Sequence, residues 1–127
     1  MTARATDDTT AACARAALVT ALQQLAAAAD QAVTAGRVRP ALAPRATEQL
    51  AKAVRALEGA PSDPTMLLVH LTAARSFLVE GWGPPGLAQA LGVAIARVHQ
   101  LARTAPEVFR GRPDEAAEGL PAPRLLP

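Results

Sequence analysis

Few side chains in this chain carry chemistry. There is one cysteine (Cys13), one tryptophan (Trp82), two histidines (His70 and His99) and 12 arginines in 127 residues. A single thiol excludes an intramolecular disulfide and a cysteine-rich metal site. No Ser-His-Asp set at workable spacing and no glycine-rich phosphate loop stand in the chain. The expectation is a protein that is not an enzyme and uses no metal and no cofactor. Each reactive residue has a structural role to fill instead. Cys13 reads as a small packing residue of a first helix. His70, on the apolar side of a third helix, reads as a buried histidine with a satisfied hydrogen bond. Trp82 reads as a plug of the core beside a turn.

The arginines are informative by position rather than by number. Alanine, proline and arginine richness looks like a high-GC coding sequence, which discounts the count itself. Between Thr65 and Arg112 five arginines face two glutamates, a balance of +3, while residues 1–64 carry +1 and the tail after Arg112 carries −2. The basic excess therefore gathers around residues 75–112, where phosphate contacts would make binding salt-dependent.

The segment Pro84–Arg103 concentrates that charge on a patterned stretch. It runs Pro-Pro-Gly-Leu-Ala-Gln-Ala-Leu-Gly-Val-Ala-Ile-Ala-Arg-Val-His-Gln-Leu-Ala-Arg. Two short helices, about Pro85–Leu91 and Ile95–Thr104, are expected to cross through a brief turn. Ala88 is small where the helices would meet, and Gly92 tolerates a left-handed turn. Leu87, Leu91, Val93, Val98 and Leu101 would seal the unit onto the core. The stretch resembles the helix-turn-helix of small bacterial, actinobacterial-type DNA-binding regulators and sigma-factor-like proteins, over residues 84–103 only. The residues that carry this likeness are Leu87-Ala88, Leu91-Gly92-Val93, Arg97-Val98 and Gln100-Leu101. The resemblance implies that Ile95–Thr104 is a recognition helix presenting Ala94, Ala96, Arg97, His99, Gln100 and Arg103 to double-stranded DNA. Gln100 would pair with adenine and Arg97 with guanine, the others touching phosphate. The sequence departs from the family at Ala94-Ile95-Ala96, where a polar capping residue is usual; its loss costs roughly 1 kcal/mol.

The elements that must position this segment are helical. Alanine favours helix, and the strand-forming β-branched and aromatic residues are scarce. The expected fold is all-α, with about five helices and no β wing. Residues 1–8 read as a flexible arm and 9–110 as one helical domain. Within it, 9–59 form support or dimerisation helices and 64–110 the tri-helical helix-turn-helix unit. Residues 111–127 read as a disordered, proline-rich tail. The first helix carries Leu18, Leu22, Leu25, Ala29 and Val33 at steps of four and three, a narrow seam that suits the domain itself or a second copy. Gly36 should end it. A second helix starts near Pro44 and carries a Glu48–Lys52 pair. Ser62 or Asp63 caps the third, which is apolar almost all round from Met66 to Val79 and is expected to be the most buried.

Two functional readings follow. One is a DNA-binding protein, a transcriptional regulator acting as a homodimer on half-sites about one helical turn apart. The other is a helical protein-interaction module, adaptor or antitoxin-like, that uses the apolar Ala94-Ile95-Ala96 end and the long first helix. The start of the chain lacks a basic-then-apolar leader, and no stretch of about 18 apolar residues is free of charge, so a cytoplasmic, non-membrane protein is expected.

Overall fold

The structure, a computed structural model, describes residues 2–59 and 61–110, with side chains from residue 10 onward. It is all-α: α1 (Thr2–Thr34), α2 (Ala43–Glu58), α3 (Pro64–Glu80), α4 (Pro85–Thr104) and a closing 3₁₀ turn, η1 (Pro106–Phe109). No strand occurs among the described residues. The proline-rich segment 111–127 lies outside them.

Helix α1 begins at Thr2, within the stretch 1–8 that was expected to be an arm. Nothing in the first 35 residues breaks a helix: there is no glycine or proline, and alanine recurs throughout. Its 33 residues extend about 50 Å. Gly36 ends it as expected, with φ +76°. The N–H of Arg37 reaches back to the Ala32 carbonyl at 2.8 Å, the wrapped closure that a left-handed glycine permits.

The leucine seam of α1 is spent on its own domain. Leu18, Leu22 and Ala29 are buried against the bundle, and Leu25 and Val33 are half-buried. Helix α2 contributes Ala46, Leu50, Ala53 and Leu57, all fully buried at alternating steps of four and three. The Glu48–Lys52 pair forms on its exposed side at 3.4 Å. In α3, Asp63 caps the start by accepting from the Thr65 N–H at 2.9 Å, and Pro64 occupies the first turn. The core is thus leucine interleaved with alanine, a composition that lets helix axes approach closely while burying little area per residue.

Helix α3 is not the buried centre expected from its composition. It packs on α2 and α4 and leaves its outer side to solvent, so Met66, Val69 and Val79 are each about half exposed. Four helices in a chain this short make no third layer that could cover a central helix. His70, on the α2 side, is half-buried with Nδ1 2.8 Å from Gln49 Oε1, the satisfied histidine expected.

The α3–α4 turn corrects the expectation for Trp82. Gly81 is pinned between the Phe77 carbonyl and the Val38 side chain, where a Cβ would approach both to 2.9 Å. Its carbonyl accepts from the Arg39 N–H at 2.8 Å. Trp82 then takes the left-handed position, φ 58°, that glycine usually fills at a helix end. That geometry throws the indole outward. It is 77% exposed and lies under the Arg39 guanidinium, 5.1 Å from the ring centre, and not in the core.

One buried charge ties the bundle's end together. Arg15 is 4% exposed and donates to the Val108 carbonyl at 2.7 Å, to the Leu57 and Gly59 carbonyls and to Ser62 Oγ at 2.8 Å. The cation thereby meets the negative end of α2, where the last carbonyls lack partners within the helix. Residues 10–34 of α1 are also long and apolar enough to span a bilayer by length and composition. The stretch includes Arg15 and Asp30, and its leucine face is turned into the bundle.

Candidate functional site

The expected pair of short helices is a single helix. Pro85–Thr104 runs without a break, and Gly92 sits mid-helix rather than in a turn. The reason lies in the spacing of its apolar side chains. Leu87, Leu91, Ala94, Val98 and Leu101 are all buried and fall at steps of four, three, four and three. That is one uninterrupted helical stripe. A turn at Gly92 would throw the halves out of register. The glycine's missing side chain is compensated from α3, where Arg75 donates from Nε to the Ala88 carbonyl at 3.3 Å and lies beside Gly92.

Continuous helix reverses the inside and the outside at the middle of the segment. Ala94, expected on the reading face, is buried at 8% exposure. Val93, expected to seal the core, is 66% exposed. Ile95 is half-buried. The remaining predicted contacts, Ala96, Arg97, His99, Gln100 and Arg103, are all exposed. Arg97 Nη1 donates to Gln100 Oε1 at 3.2 Å, so the two residues expected to read bases hold each other. The structure therefore brings five of the six together on the solvent side of α4, but on a straight helix rather than at the tip of a helix-turn-helix.

Beside this face lies a feature that the sequence reading missed. Helix α1 runs antiparallel to α4, and the two diverge enough to leave a groove. One stretch, of about 360 Å³, lies between Leu18, Ala21 and Leu25 on α1 and Ala90, Val93 and Ala94 on α4. A second, of about 540 Å³, lies next to it, sharing Leu25 and Ala90 as lining and reaching Ala35 and Pro84. The lining is mostly apolar. Among the described residues the charged groups on it are Arg97 at one end and Arg37 at the other, with Gln24 and Gln31 between them. The signal available in sequence was the run of small residues on the flank of the α1 leucine seam. Leu25 itself was assigned to the seam and not to a surface.

Cys13, expected to pack, is exposed on α1. Its neighbour Arg15 turns inward to the buried junction. Among the described residues no three His, Cys, Asp or Glu side chains gather as a metal site. Every buried side-chain polar atom described has a hydrogen-bond partner. Comparison with protein families, with curated proteins and with solved structures finds no match to this chain.

Proposed function

We propose that the protein is a non-enzymatic helical interaction module that docks a partner protein along the α1/α4 groove. The observation that carries this reading is the exposed Val93 on the wall of a mostly apolar groove beside Leu25. A large exposed apolar side chain set in a concave apolar strip gains free energy when another surface covers it. Helix-in-groove recognition uses this kind of site, two helices offering a trough to an apolar edge.

The test is a photo-crosslinking amino acid placed at Val93, with a control at Thr72 on the outer side of α3, in cells that produce the protein. A discrete adduct from position 93 and none from position 72 is expected. No adduct at 93 overturns the reading.

DNA binding is the second reading. It is favoured by the exposed line of Arg97, His99, Gln100 and Arg103, which holds no carboxylate. It predicts a salt-sensitive mobility shift on duplex DNA that Arg97→Ala with Gln100→Ala abolishes. Duplex binding that survives this double substitution, or is absent at low salt, removes it.

A further inference from the structure

Resting on the interaction reading, we infer that the α1/α4 groove selects an amphipathic helix whose apolar edge is flanked by carboxylates about 13 residues apart. The argument is one of charge complementarity and length. The groove is apolar along its floor, where Leu18 and Leu25 meet Ala90 and Ala94. Among the described residues its two charged lining groups are both guanidinium, and no described carboxylate lines either stretch. Arg97 stands at one end. Arg37 stands at the other, on the stretch that Pro84 also lines. From Pro84 to Arg97 helix α4 rises about 20 Å. A docked helix that runs along α4 covers the same rise in about 13 residues, so carboxylates at that separation reach both arginines at once.

The middle of the groove imposes a second condition. Gln24 and Gln31 offer neutral amides between the two cations. No charge in the described lining attracts a charged centre there, and a partner with basic ends meets like charge at both. Arg97 is steadied by Gln100, so one anchor is already oriented before docking. The carboxylates supply selectivity and register, and the leucine-type edge supplies most of the affinity.

The experiment uses the full chain and two fluorescein-labelled synthetic helices of about 18 residues. Both carry the same leucine edge. One has glutamate at the two flanking positions and the other has lysine there. Fluorescence anisotropy at low salt is expected to show the glutamate helix binding about tenfold tighter than the lysine helix. The preference should shrink at high salt and invert in the Arg37→Glu, Arg97→Glu double variant. Both arginines are exposed, so circular dichroism should show unchanged helix content. Equal binding of both peptides, or a preference that the double variant does not invert, overturns the charge inference while leaving helix docking intact. Binding of neither peptide alongside a persistent adduct at position 93 overturns the inference but not the interaction reading. Loss of that adduct as well removes both. Sedimentation of the chain alone separates the remaining occupant: a dimer that Val93→Glu dissociates assigns the groove to a second copy and overturns the inference.

Discussion

At the scale of single residues, Arg15 does the most to hold this structure together. It sits one turn before Leu18 on a buried helix face, a position where a core side chain is expected. It resolves the conflict by sending its charge to the Leu57 and Gly59 carbonyls at the end of α2 and to the Val108 carbonyl. A buried charge is tolerated when its hydrogen bonds are made, and removing it leaves the acceptors short of a donor. Arg15→Met should lower unfolding stability by roughly 3 kcal/mol in urea titration. Arg15→Lys should recover only part of that, because an ammonium cannot fork across several segments. If Arg15→Met unfolds at the same urea concentration as the parent chain, the junction is not what holds η1. Trp82 shows the opposite case. The largest side chain in the sequence lies outside the core because its backbone occupies the left-handed turn after Gly81.

At the scale of elements, α4 decides the functional reading. The residues Leu87, Ala88, Leu91, Gly92 and Val93 satisfy the packing logic of a helix-turn-helix, yet they also satisfy a straight helix. The longer pattern discriminates between them. Counting Ala94 with Leu87, Leu91, Val98 and Leu101 gives one stripe that a break at Gly92 would destroy. Gly92→Ala tests this directly. In a helix interior, replacing glycine by alanine stabilises by about 0.5–1 kcal/mol, whereas a left-handed turn position loses about 1–2 kcal/mol. The added Cβ meets Arg75 Nε at 3.5 Å, an ordinary contact. A higher thermal midpoint is the expected outcome, and a lower one would restore the turn. The groove is also a property of elements. Its walls come from two helices, residues 18–35 of α1 and its end on one side and residues 84–97 of α4 on the other.

At the scale of the whole molecule, four helices are closed by η1. Val108 and Phe109 are buried at the open end of the bundle, and the Phe109 carbonyl accepts from the Ser62 N–H. The turn thus links the last element to the α2–α3 connection, far away in sequence. In a core otherwise short of aromatic area, Phe109→Ala should cost about 3–5 kcal/mol. Against the roughly 5–15 kcal/mol that stabilises domains of this size, that loss is large. Guanidinium denaturation should show it as a fall in midpoint with an unchanged slope, and a change under about 1 kcal/mol would mean that η1 is only loosely attached.

What the amino-acid sequence determined by itself was local. Helix content followed from alanine and from the rarity of strand formers. The stop at Gly36, the cap at Asp63, the prolines in first turns and the Glu48–Lys52 pair each depend on groups a few residues apart, and all stand where the sequence placed them. Composition could not say which apolar surface would be covered, because burial depends on how many neighbours a helix has. That is why the apolar α3 keeps an exposed side. It is also why Val93 and Ala94 exchange the places expected for them. Arg15 was legible only as an arginine out of place on an apolar face, since the Leu57 and Val108 carbonyls that it reaches lie 42 and 93 residues away. The Arg97, His99, Gln100 and Arg103 face was visible in sequence because one helix presents it. The groove was not, because only the packing of α1 against α4 brings its two walls together.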